Sequence, residues 1–221
     1  MQSNFTSTEE NYIKAIYHLQ QPDGSVTTNE LSAKLHTRPA TVTDMLKKLK
    51  AKKLLHYEPY KVFQLSPEGK KVALTIIRRH RLWEFFLVEK LAFGWDEVHE
   101  VAEELEHVGS KKLVDKLDAF LGFPKFDPHG DPIPDSNGKM SIIQQICLTE
   151  LPLHKPAQVV SVGSQANELL ELLSHKSIAI GTKLEIKKKF AFDGSVELKV
   201  KNLAPVNISE QLAKALFVKP L

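Results

Sequence analysis

Apolar positions recur at three- and four-residue intervals through TEENYIKAIYHL, Thr8 to Leu19, where Tyr12, Ile13, Ile16, Tyr17 and Leu19 mark an amphipathic helix. QPDGS, residues 21–25, brings the turn chemistry that stops it. Two more helices are predicted. TTNELSAKL has Thr28 or Asn29 as its N-cap, and RPATVTDMLKKLKAKKLL carries Pro39 in its first turn. The join LHTRPAT is short, so the order is helix, tight turn, helix. HYEPYKVFQLS then alternates as a hairpin does, with Pro59 confined to an edge or turn position. SPEGKKVALTIIRRHRLWEFFLVEKL restarts a helix with Ser66 as N-cap and Pro67 at its first position, and Phe93-Gly94-Trp95 breaks it. DEVHEVAEELEHVGSKKLVDKLDAFLG continues helical to Gly122, with a division near Gly109.

FPKFDPHGDPIPDSNG, residues 123–138, is dense in Pro, Gly and Asp and reads as a linker or irregular loop. After the short apolar segment MSIIQQICL, the pieces AQVVSVG, TKLEIKKKF, SVELKV and NISEQLAKALFV predict a small sheet with one helix, NELLELL, inserted. That pattern suits a small SH3-like β-barrel. At 221 residues the chain has room for two or three compact units. With 42% hydrophobic and 26% charged residues it has the composition of a globular protein. The start MQSNFTSTEENY carries no basic, apolar secretory pattern, and no stretch is long and apolar enough for a bilayer span, so a cytoplasmic protein without a membrane partner is expected. The lone Cys147 excludes an internal disulfide framework and paired CxxC zinc sites, and its apolar setting reads as a core thiol.

Net charge, +3, decides little, but its distribution does more. KKLKAKK, residues 47–53, holds five lysines and no acid. In isolation such a run is a solvated helix face. Here it ends the second helix of a helix-turn-helix that leads into a hairpin, which is the winged form of the DNA-binding motif. Thr37, Arg38, Ala40, Thr41, Thr43 and Asp44 are then positioned to read base edges, while Lys47, Lys48, Lys61 and Thr41 would meet phosphates.

HEVAEELEHV, residues 99–108, packs two histidines and four glutamates into ten positions. At about 100° per residue, His99, Glu103, Glu106 and His107 share one face. Carboxylates and imidazoles so stacked repel or desolvate one another unless a cation joins them. The alternative is a solvated acidic helix paired with lysines. Two further features favour a metal: His80 and Glu84 are four apart in RRHRLWE, and DPHGD adds Asp127 and His129. Oxygen and imidazole donors select Mn(II) or Fe(II) over thiolate-seeking ions. An HExxH zinc helix fails because position 103 is glutamate, and no P-loop, GxSxG or Rossmann glycine pattern is present, so neither an enzyme nor a small organic substrate is expected.

TEENYIKAIYHL, RPATVTDMLKKLKAKKLL, RRHRLWE, VHEVAEELEHV and FDPHGDPIP together make the chain similar, over nearly its full length, to the diphtheria toxin repressor family of metal-dependent regulators in its three-domain form. The resemblance implies a mainly α protein with a small β domain. A winged helix-turn-helix would occupy residues 1–73, a helical metal-binding and dimerisation domain 74–140, and an SH3-like domain 141–221. It implies a homodimer that binds operator DNA when loaded with Mn(II) or Fe(II), at two sites per subunit, and represses metal-uptake genes. The primary site implied is Asn11, Glu103, Glu106 and His107. The family usually has methionine or aspartate where Asn11 stands, and its iron-responsive members carry cysteine where Glu103 stands, which tilts the metal towards Mn(II). The second site implied is His80, Glu84 and His99, completed by Gln165 and Glu168 or by Asp127 and His129. Lys14 falls where short manganese regulators have a second acidic ligand. The rival readings are a metal-storage or metal-delivery protein whose winged helix contacts proteins, and a regulator answering an organic ligand.

Overall fold

The computed structural model describes residues 5–20, 24–58, 61–201 and 203–221. Most of the QPDGS turn and Pro59 lie outside these described residues. The chain divides into two compact units: residues 1–80, 103–123 and 134–139 form the first, and residues 81–102, 124–133 and 140–221 the second.

In the first unit, α1 (Ser7–Leu19) opens with a capping box in which Thr6 and Glu9 satisfy each other's backbone N–H groups. The same device opens α2 (Thr28–Lys34), and there the cap is Thr27 instead of the expected Thr28 or Asn29. Thr27 is extended and has Glu30 three residues on, which is what the reciprocal bonds require. α3 (Pro39–Ala51) has no side-chain cap, and Pro39 at its start removes one of the N–H groups that would lack a partner. The tight turn between them places His36 at φ 48°, and Ser32 Oγ donates to the Thr37 carbonyl at 2.5 Å. The wing is shorter than its sequence pattern suggests. β1 (Leu55–His56) pairs antiparallel with β2 (Gln64–Leu65), and Phe63 adds a bridge to Val26. Ile13, Ile16, Leu31, Val42, Leu46, Leu49 and Phe63 form the buried centre of this unit.

α4 (Pro67–Leu91) starts where expected, with Ser66 Oγ accepting from the Gly69 N–H, and contributes residues to both units. The helical run that follows is broken earlier than expected. α5 (Val98–Leu105) ends before Glu106, and α6 (Lys111–Phe120) begins under a Ser110 cap. Glu106 and His107 therefore lie in a turn, where helical periodicity no longer sets their direction.

In the second unit, a six-stranded antiparallel sheet has the order β3 (Ile146–Cys147), β8 (Leu216–Pro220), β4 (Pro156–Val162), β5 (Lys183–Lys189), β6 (Val196–Val200) and β7 (Val206–Ile208). Leu148, Leu170, Leu173, Ile186, Leu198 and Leu216 fill its core beside α7 (Asn167–His175). NISEQLAKALFV is not continuous strand as the sheet reading required: Ser209 caps a second inserted helix, α8 (Glu210–Lys214), between β7 and β8. Cys147 is half-buried, with Sγ 3.0 Å from Thr149 Oγ1. Among the described residues, no helix is long and apolar enough to cross a membrane.

Leu46 is fully buried on the core side of α3. Leu46→Ala is expected to destabilise the protein by about 2–5 kcal/mol, measured by denaturant unfolding, whereas truncating the exposed Val62 should change stability little.

Candidate metal centre and nucleic-acid interface

Of the stretch read as a linker, residues 124–133 are an organised element of the second unit. Asp127 Oδ1 accepts from the backbone N–H groups of His129 and Asp131, both at 2.9 Å, closing an Asx turn. Gly130 follows at φ +87°, and a Cβ there would lie 1.9 Å from the Val160 carbonyl oxygen, so only glycine admits this path. A bridge between Phe126 and Pro132 closes the loop. The turn delivers Asp127 and His129 to Glu84 of α4. One ligand atom from each of the three lies within 4.8 Å of the others, and all three residues are buried. His99 of α5 approaches the same carboxylate, Nδ1 to Glu84 Oε1 at 3.1 Å, and is partly exposed.

These donors fit a divalent cation. His129 Nε2 lies 2.6 Å from the Trp95 carbonyl oxygen, and a proton donated there leaves the other ring nitrogen as a lone-pair donor. That nitrogen, Nδ1, is buried without a hydrogen bond, 3.8 Å from Glu84 Oε1. Asp127 Oδ2 is also buried without a hydrogen bond and has an ion pair to Arg81 Nε at 3.4 Å. Two ligands on one ion at about 2.2 Å each stand at most about 4.4 Å apart, so the observed spread needs only a small contraction. The electrostatics agree. Burial, then the charges of Glu84 and Asp131, push the Asp127 carboxyl up to about 7 against the opposing pull of Arg81 and His129. For His129, burial alone would lower the pKa, but the nearby carboxylate of Glu84, the charge of Asp127 and the hydrogen bond to the Trp95 carbonyl raise it. The cluster is short of positive charge.

Two supporting residues carry no signal that the spacing argument could use. Trp95 stacks on the His129 ring with centroids 6.0 Å apart and donates Nε1–H to Ser174 Oγ at 2.8 Å. Arg81 donates to the Pro132 carbonyl at 2.6 Å and pairs with Asp127 and Asp131. Of the two C-terminal donors, Gln165 reaches the loop by donating to Asp131 Oδ2 at 3.1 Å, while Glu168 is exposed in the first turn of α7.

The first unit holds the other ligand set, and there a lysine is in place. Lys14 Nζ lies 2.8 Å from the fully buried Glu106 carboxylate and 3.3 Å from Glu103 Oε1. His80, one turn before Glu84 along α4, places Nδ1 2.7 Å from Glu106 Oε2. His107 Nδ1 lies 2.8 Å from Glu10 Oε2, and the other Glu10 oxygen accepts from Arg79 at 2.8 Å. Burial would raise the Glu106 pKa, yet the His80 hydrogen bond and the charges of Lys14 and His80 lower it. α1 thus presents Glu10 and Lys14, one turn apart, to this cluster, and Asn11 is exposed. In this arrangement the set does not fit a metal ion, because an ammonium group already lies against both carboxylates.

On α3 the apolar side, Val42, Leu46 and Leu49, faces the core. Arg38, Ala40, Thr41, Asp44, Lys47 and Lys48 are exposed, and Thr37 and Thr43 are half-buried, Thr43 Oγ1 donating to the Pro39 carbonyl. Lys47 pairs with Asp44 at 3.2 Å and Lys61 with Glu58 at 2.5 Å, both on the surface. The lysine run is not uniform. Lys52 turns to Glu9, 2.7 Å away, which leaves the others as the solvent-facing basic edge.

Because the folded Asp127 pKa, about 7, exceeds its ordinary value of 3.8, its protonated form stabilises the metal-free protein at low pH. That contribution falls as pH rises from about 4 and is gone above about 7. Asp127→Asn should therefore gain thermal stability over the parent progressively from pH 5 to pH 8 in chelator, read as the difference between the two melting temperatures. A constant difference across that range contradicts the assignment.

Residues 4–63 match the family model described as iron dependent repressor, N-terminal DNA binding domain, and residues 66–135 its metal binding and dimerisation domain. Residues 146–220 match the FeoA domain. The HTH-type transcriptional regulator MntR of Oceanobacillus iheyensis is 31% identical over 122 residues, covering 55% of this chain and 82% of that protein. The diphtheria toxin repressor of Corynebacterium glutamicum is 26% identical over 196 residues, 83% of this chain and 85% of its own. A solved manganese-dependent transcriptional repressor in complex with manganese is similar at a TM-score of 0.85 and 30% identity, over 96% of this chain and 100% of the other. The DNA-binding and dimerisation domains imply operator DNA and a second copy of the chain as partners. With these domains in this order, the chain belongs to the iron-dependent, or diphtheria toxin, repressor family of metal-dependent transcriptional repressors, which are not enzymes.

Proposed function

We propose that this repressor answers Mn(II) in preference to Fe(II), that its effector metal is held by Glu84, Asp127, His129 and His99, and that its targets are genes of metal uptake. The observation that carries the site is the buried group of Glu84, Asp127 and His129, in which two donor atoms lack a hydrogen bond. The donors are carboxylate and imidazole throughout. Such a set, with no thiolate in it, suits Mn(II). The similarity to the manganese-dependent repressor structure supports the same choice.

The bound ion would supply the positive charge that the cluster lacks. Glu84 holds the α4 position, His99 the α5 position, and Asp127 with His129 the loop, while Trp95 fixes the His129 tautomer. Their shared ligand stiffens these elements of the dimerisation region. In a dimer the two α3 helices must match two half-sites at once, so an ion that narrows the range of orientations raises the fraction of competent dimer and with it the apparent operator affinity. The first ligand set, Glu103, Glu106 and His107 with α1, sets how firmly the reading head is tied to the turn after α5.

Asp127→Ala and His129→Ala are each expected to lower operator affinity by roughly a hundredfold in saturating Mn(II), to the level of the parent in chelator. Fluorescence anisotropy at one fixed salt concentration reads this, with the dimer checked by sedimentation. A variant that keeps the parent's metal response sinks the proposed site. At the DNA, Lys48→Ala should weaken binding to all sequences alike and reduce the slope of log affinity against log salt by about one. Arg38→Ala should instead relax discrimination between operator and mismatched sites.

A further inference from the structure

We infer that Lys14 is the resident cation of the cluster formed by Glu103, Glu106 and His107: its ammonium group joins α1 to the two carboxylates, as a divalent ion would, and the chain takes up metal at the Glu84 cluster alone. The second clause rests on the proposed function, while the first stands on the geometry of Lys14.

The Lys14 side chain is 13% exposed and that of Glu106 is 0% exposed, so water screens this pair little. Withdrawing Lys14 would leave a buried carboxylate partly uncompensated, which is strongly unfavourable. The remaining polar groups wall the ammonium group in, with His107 Nε2 3.9 Å from Glu106 Oε1. Glu106 also contacts His80, and His107 Nδ1 is used by Glu10, whose second oxygen serves Arg79. Asn11 is exposed and offers only a neutral amide oxygen.

An ion coordinated by Glu106 would lie about 2.2 Å from a carboxylate oxygen, while the ammonium lies 2.8 Å from the same carboxylate. Two cations held that close in a buried site repel strongly. Either the metal stays out or Lys14 leaves. The Glu84 cluster has the opposite balance: Asp127 and Asp131 share one arginine, Glu84 has the imidazoles of His99 and His129 as ion-pair neighbours, and two donor atoms of Asp127 and His129 lack hydrogen bonds. The chain thus divides its cations by site, a covalently attached one in the first unit and an exchangeable one in the second.

The test is equilibrium dialysis of the full-length, metal-stripped protein against Mn(II), with bound ions counted per chain, alongside melting of the metal-free forms. The parent should bind one Mn(II) per chain. Lys14→Met, which keeps the stem and removes the charge, should bind two and should melt below the parent in chelator, with Mn(II) restoring it. Lys14→Glu should bind the added ion roughly tenfold or more tightly than Lys14→Met does, and Lys14→Arg should keep the parent's count. Glu106→Gln in the Lys14→Met background should abolish the added ion. Two ions per parent chain, or no added ion in both Lys14→Met and Lys14→Glu, overturns the inference. A parent that binds none while Lys14→Met binds one upholds the role of Lys14 and instead refutes the Glu84 cluster as the metal site.

Discussion

A carboxylate removed from water must find positive charge, and this requirement organises both halves of the molecule. Glu10, Glu84, Glu106 and Asp127 are all buried. In the first unit the need is met by the chain itself, through Lys14 and Arg79. In the second, Arg81 serves two aspartates and Glu84 has imidazole neighbours, leaving Asp127 with a pKa near 7. Burial of an ionised group without full compensation is among the largest local penalties a fold carries. A site left in that state is poised to take an ion from solution.

Local chemistry prepares that site before any metal arrives. The Asx turn at Asp127 uses one carboxylate oxygen for the backbone and directs the other inward. Gly130 allows the loop to pass against the Val160 carbonyl, and the Trp95 carbonyl takes the far side of the His129 ring. Each of these contacts fixes the direction of a donor. The donors are therefore ordered by packing and hydrogen bonds set during folding. The link to function runs through rigidity: an effector that stiffens α4, α5 and the loop can bias which dimer geometry is populated.

Much of this was legible from residue order. The winged helix-turn-helix, the start of α4 at Ser66-Pro67, the alternating strands of the C-terminal sheet and the residue types of the candidate ligands all follow from short-range rules: capping, proline geometry and periodicity. These rules act within a few residues, so sequence reports them directly. Where the local signals competed, the reading slipped by small amounts. Thr27 caps α2 because Glu30 answers it, and α8 interrupts a stretch that alternates well enough to pass for strand.

Tertiary structure decided the rest, because charge pairing joins residues far apart in the chain. No spacing rule connects Lys14 with Glu106, 92 positions away, or turns Lys52 out of a basic run towards Glu9. The end of α5 at Leu105 took Glu106 and His107 off the helical face on which periodicity placed them, and Glu10 and Lys14 face the resulting turn while Asn11 faces solvent. Likewise a stretch rich in Pro, Gly and Asp had the composition of a linker, yet its Asx turn and its contacts with Arg81 and Trp95 made it an ordered part of the carboxylate and imidazole cluster around Glu84. Sequence alone therefore established the elements, the family resemblance and the kinds of ligand. Only the folded chain determined which carboxylates keep a cation of their own and which are left to find one, since that balance depends on burial and on partners distant in sequence.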